Sequence, residues 1–116
     1  MFNVEFYHLP NGDCPVREFL DGLDPRMRDK ATTSLEILEE FGNQLREPRS
    51  KALGDGLFEL RIRFSNDIAQ VFYFFFVGHR IIVTNGFIKK TQKTPASELK
   101  LARKYKADFE RRQKDE

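Results

Sequence analysis

A chain of 116 residues, 40% hydrophobic and 33% charged, has the length of one folding unit and the composition of a soluble globular protein. It holds no uninterrupted apolar run of about 18 residues, which excludes a membrane-spanning helix, and its single cysteine, Cys14, excludes an internal disulfide. The formal net charge of +2 hides an asymmetry: residues 1–87 carry 10 basic and 13 acidic side chains and residues 88–116 carry 10 basic and 5 acidic, a basic end that favours polyanionic partners.

The opening MFNVEFYHLPNGD lacks the basic and apolar regions of a signal peptide, so with a lone thiol the expected address is the cytoplasm. Residues 2–7, FNVEFY, alternate and read as a strand. A turn at NGD follows, with Asp13 placed to cap a short helix whose apolar stripe is Val16, Phe19, Leu20 and Leu23. GLDP breaks that helix. Asp24 as N-cap and Pro25 at the first turn start a longer one, with Met27, Ala31, Leu35, Leu38 and Phe41 on its buried face and Gly42 as its stop. The two helices are expected to form a hairpin.

NQLREPRSKALGDG, residues 43–56, is polar and rich in breakers and reads as a loop. LFELRIRFS then alternates strictly, with Phe58, Leu60, Ile62 and Phe64 on one face and Glu59, Arg61 and Arg63 on the other. IAQVFYFFFV is apolar on both faces, as a central strand requires, and IIVTNGFIKK reads as a further strand. Thr94 as N-cap and Pro95 open a last helix with an apolar face of Leu99, Ala102, Tyr105 and Phe109. The order β-α-α-β-β-β-α predicts one α+β domain over residues 1–116: an antiparallel sheet, the helical hairpin on one face and a C-terminal helix. Arg61 and Arg63 then fall on the open face.

Lys89, Lys90 and Lys93 lie at the end of the last strand and Lys51 in the loop before the arginine strand, so the basic groups are expected to converge across the open face. Guanidinium and ammonium groups around a concave sheet suit phosphodiesters, and Tyr73, Phe75 and Phe87 offer stacking surfaces for bases. Arginines simply paired with Glu59 and lysines in water are the structural alternative. His8 and His79 stand without metal-ligand spacing, so neither metal nor cofactor is expected.

KALGDGLFELRIRFSNDIAQVFYFFF, followed by NGFIKKTQKTP and a basic helix, resembles the phage Gp49-like HigB toxins of the RelE/ParE superfamily. The resemblance runs from the first strand to the terminal helix and is most specific over residues 51–95. It implies a small α+β unit and a ribosome-dependent endoribonuclease, with mRNA and the ribosome as partners and a helix-turn-helix antitoxin as neutraliser. It places Arg61 and Arg63 against the scissile phosphate, Lys89, Lys90 and Lys93 among the catalytic basic groups, and Lys51 as a weaker contact. Lys104, on the basic terminal helix, joins Lys51, Tyr73 and Phe87 as an expected RNA contact. Gln70 departs from the pattern, because related sequences commonly have arginine there. A ParE-like gyrase inhibitor and a non-catalytic RNA-binding regulator remain open as alternatives. The terminal helix, held by few apolar residues, is expected to be a low-stability element that an antitoxin could cover or displace.

Overall fold

The computed structural model describes residues 1–89 and 94–114. Strand β1 (Asn3–Phe6) leads to helix α1 (Pro15–Asp21) and then α2 (Pro25–Phe41). The Asp24 carboxylate accepts from the Arg26 amide, and Gly42 ends α2 with φ 50°, as read from sequence. At α1 the reading differs: Cys14 occupies the N-cap without a side-chain bond, and Asp13 instead closes the preceding turn with Asn11.

The 43–56 stretch is not all loop. Ser50–Gly54 forms β2, an edge strand paired antiparallel with β3 (Leu57–Phe64). Its alternation is hidden because its inward residue at the start is Ser50, buried not by an apolar side chain but by a hydrogen bond between its hydroxyl and Tyr73. A turn of three positive-φ residues, Gly54, Asp55 and Gly56, leads into β3. Strands β4 (Asp67–Phe76) and β5 (Arg80–Ile88) complete the order β1-β5-β4-β3-β2. The sheet is mixed, which corrects the antiparallel expectation: β1 lies parallel to β5. The helical hairpin returns the chain to the opposite edge before the β2–β5 meander begins, so the last strand arrives beside β1 in the same direction.

Strict alternation in β3 holds. Leu60 and Ile62, flanked by Phe58 and Phe64, pack with Val71, Tyr73 and Val83 against Val16, Leu20, Met27, Ala31, Leu35 and Leu38 of the hairpin. The close fit of α1 on β5 depends on Gly86, where a Cβ would lie 2.5 Å from the Phe19 ring and 2.9 Å from Val71. Gly86→Ala is therefore expected to lower stability by about 1–3 kcal/mol through overpacking, read as a shift of the urea midpoint at unchanged slope.

The second face is not left open. Helix α3 (Ala96–Lys114) lies across it, setting Ala102, with Leu99, Tyr105 and Phe109 beside it, on Leu57, Phe72, Phe74, Ile82 and Phe87. Polar anchors hold both ends of this helix. The Asn85 amide donates to the Glu98 carbonyl (3.3 Å) near its start. Near its end the Tyr7 hydroxyl donates to Asp108 (2.6 Å), Arg112 pairs with the same carboxylate (2.8 Å) and donates to the His8 carbonyl, and Tyr7 stacks on Tyr105. The sequence counted only the apolar residues of α3, and these polar contacts add to them.

Those anchors make stability depend on pH at both extremes. Burial first, then the hydrogen bond to Asp108, raises the Tyr7 phenol from 10.0 to about 12. The Tyr7 hydroxyl and the Arg111 and Arg112 guanidiniums hold Asp108 below its usual range. A raised phenol contributes stability that is complete below pH 10 and is lost as pH climbs toward 12; a depressed carboxyl contributes stability present above about pH 4 and lost on acidification. The alkaline loss is capped at about 3 kcal/mol, since each tenfold change in proton affinity is worth about 1.4 kcal/mol. Tyr7→Phe should abolish the part of the alkaline decline that Tyr7 contributes, as measured by urea unfolding between pH 7 and 11.

Candidate nucleic-acid interface

On the α3 face, side chains line up in rows set by strand register. Glu59 stands opposite Lys51 on β2 and Phe72 on β4. Arg61 stands opposite Gln70, and Gln70 opposite Phe87. Arg63 stands opposite Ile68, whose carbonyl accepts from the Lys89 amide (2.8 Å). Helix α3 packs on the Leu57 end of this face; toward the other end Arg63 is exposed and Lys89 is half-buried, and Lys51, on the edge strand beside Glu59, is exposed. Arg61, Arg63 and Lys51 thus share one face of two adjacent strands, β2 and β3, and Lys89 is the residue after β5. Lys104 is exposed on the outer side of α3. Lys90 and Lys93 lie outside the described residues.

Arg61 is less open than its alternation suggests. Its side chain is 24% exposed and its Nη2 donates to Glu59 Oε1 at 3.3 Å. Glu59 is 1% exposed, and its second oxygen accepts from the Thr94 hydroxyl at 3.0 Å. Thr94 was expected to cap α3. Instead the Pro95 carbonyl accepts the first amides of the helix, from Glu98 and Leu99, and the Thr94 side chain reaches the sheet. Sequence reasoning found Glu59 as a counter-charge to the arginines but missed its burial and its second bond, because Thr94 is 35 residues away.

Two aromatic assignments change. Tyr73, 1% exposed, and Phe75 belong to the opposite face, packed under the hairpin, with Tyr73 stacked on Phe58 and bonded to Ser50. Burial raises the Tyr73 phenol. Neither ring can meet a ligand on the arginine face, because a strand sends alternate side chains to opposite sides. Phe87 is on the arginine face but nearly buried, stacked on Phe72 at 5.6 Å. Gln70 is fully buried, and among the described residues both its amide atoms lack a hydrogen-bond partner. It stands between Arg61 on β3 and Phe87 on β5, where an arginine would extend the basic row across the sheet.

Among the described residues no group of three His, Cys, Asp or Glu side chains is placed to hold a metal ion, and no helix is long and apolar enough to cross a membrane. The chemistry this surface can offer is cationic: a fixed guanidinium, a freer one two residues on, and two ammonium groups at its margins.

Comparison with curated proteins gives no match. Among protein families, the one described as phage derived protein Gp49-like (DUF891) matches residues 18–107, from within α1 to within α3, and so includes all of β2–β5 and the arginine row. With well over half of its length matched, the chain belongs to the phage-derived Gp49-like family.

Proposed function

We propose that the protein is a toxin of the HigB type in the RelE/ParE superfamily, a metal-independent endoribonuclease that cuts mRNA on the ribosome and is neutralised by a helix-turn-helix antitoxin. The observation that carries this reading is the placement of Arg61, Arg63 and Lys51 on one face of the paired strands β2 and β3, with Lys89 following β5 and bonded through its amide to Ile68, opposite Arg63. In the reaction, the RNA 2′-OH attacks the adjacent phosphorus and the bond to the 5′-oxygen of the next nucleotide breaks. The products are a cyclic phosphate and a 5′-OH; one proton leaves the 2′-oxygen and one reaches the departing 5′-oxygen. Arg61 and Arg63 stabilise charge on the non-bridging oxygens, and the lysines at the end of the last strand, Lys89, Lys90 and Lys93, are the candidates for moving the two protons. The ribosome supplies the alignment of the RNA that a shallow surface cannot.

A second reading, a non-catalytic RNA-binding regulator, is favoured by the pairing of Arg61 with a buried carboxylate. Inducing the protein in a bacterium and mapping mRNA 5′ ends separates the two. New in-frame cuts that require translation are the expected result. Intact mRNA with a DNA-damage response would overturn it in favour of gyrase inhibition, and intact mRNA without any growth effect would favour the regulator.

A further inference from the structure

The group on this face with the strongest constraint is the acid, not the bases. Glu59 is a carboxylate removed from water in the middle of a sheet, and burying such a charge is costly unless both of its oxygens are satisfied. Here one oxygen holds Arg61 and the other holds Thr94, at the entry to α3. Register keeps Glu59 and Arg61 on the same side of β3, and Phe72, fully buried directly opposite Glu59, leaves the carboxylate little room to turn. Arg61 has few other restraints among the described residues: its Nε is buried without a partner, and its cross-strand neighbour Gln70 makes no bond to it. The Glu59 carboxylate is therefore what fixes the guanidinium.

We infer that Glu59 is a positioning residue that aims Arg61 at the RNA phosphate and, through Thr94, ties that aim to the seating of α3. The inference rests on the nuclease reading and adds to it a residue that touches no substrate. Its charge works against RNA binding, while its geometry works for cleavage. The two effects can be separated, because Glu59→Gln keeps the shape and an oxygen for Arg61 while the Thr94 hydroxyl can turn to accept from the new amide. Thr94→Val removes the second tether at nearly constant volume.

The test measures three quantities on wild type, Glu59→Gln and Thr94→Val: binding of a fluorescent single-stranded oligoribonucleotide, kcat and KM for mRNA cleavage on ribosomes, and the 15N–1H signal of the Arg61 Nε. Glu59→Gln is expected to bind RNA at least as tightly as wild type. Its kcat should fall about 10- to 100-fold with KM unchanged or lower, the scale expected when a reacting group is misplaced by about 1 Å, and its Nε signal should broaden. Thr94→Val should show a smaller fall in kcat, with the same sign. A merely structural role would lower binding and cleavage together in step with the folded fraction, and that result overturns the inference. A rise in cleavage would show that Glu59 only neutralises Arg61, and kcat within twofold of wild type would show that Arg61 needs no aiming; each also overturns it. Wild-type protein that cuts no mRNA on ribosomes would overturn the nuclease reading and this inference together, whereas active wild type with an unaffected Glu59→Gln overturns this inference alone.

Discussion

Replacing Arg61 by alanine is expected to lower ribosome-dependent mRNA cleavage about 100- to 1,000-fold, the usual effect of removing one donor aimed at developing charge, equivalent to about 2.7–4 kcal/mol of barrier. The same substitution should also cost stability, which alternation alone would not suggest. Taking away Arg61 leaves the Glu59 carboxylate buried with Thr94 as its remaining partner among the described residues, and stranding a buried charge costs several kcal/mol in the worst case. Because Arg61 is partly exposed, about 1–3 kcal/mol is the expected loss. Arg63→Ala, at an exposed position, should leave stability within about 0.5 kcal/mol. The control is the double variant Glu59→Ala with Arg61→Ala. Removing both partners abolishes the stranded charge and should recover much of the lost stability, while cleavage stays low. Full recovery of cleavage in the double variant would mean that the single variant was inactive only through unfolding, and Arg61 would lose its assigned role.

The largest structural effect is expected at Phe72→Ala, with a loss of about 3–5 kcal/mol. Phe72 is fully buried on the central strand β4, stacks on Phe87 at 5.6 Å and lies beneath α3. Rigid sheet surrounds it on three sides, so only α3 could move in to fill the space, and the anchors at Tyr7, Asn85 and Glu59 oppose that movement. Since domains of this size are stable by about 5–15 kcal/mol in total, the variant should be marginal at 37 °C. Urea unfolding followed by circular dichroism measures the effect. A loss below about 1 kcal/mol would show that α3 settles onto the sheet freely and is less firmly anchored than its hydrogen bonds imply. Because Glu59 stands opposite Phe72, the same variant should also disturb Arg61, and the two results are best read together.

What the sequence determined by itself lies within single elements. A period of two in residues 57–64 gave the faces of β3, since a slip of one residue would bury Arg61 and Arg63 under the hairpin. Asp24, Pro25 and Gly42 marked the ends of α2 because caps act on the nearest backbone groups. The apolar stripe of the last helix named the residues that dock, Leu99, Ala102, Tyr105 and Phe109. Tertiary structure alone decided which surfaces meet. Strand β4 is apolar on both sides, so nothing local told Tyr73 apart from Phe72 or Phe74; only its pairing with β3 and β5 turned Tyr73 toward the hairpin and Phe72 toward α3. β2 was hidden for a related reason: an edge strand with one polar residue facing inward has no alternation to read, and Ser50 is buried there only because Tyr73 supplies a partner. Thr94 looked like a helix cap and became a sheet contact: its hydroxyl donates to the buried Glu59 carboxylate, while the Pro95 carbonyl accepts from the Glu98 and Leu99 amides. Periodicity fixes which way a side chain points, but its partners come from distant parts of the chain, and for a buried charge such as Glu59 the partners decide what the residue does.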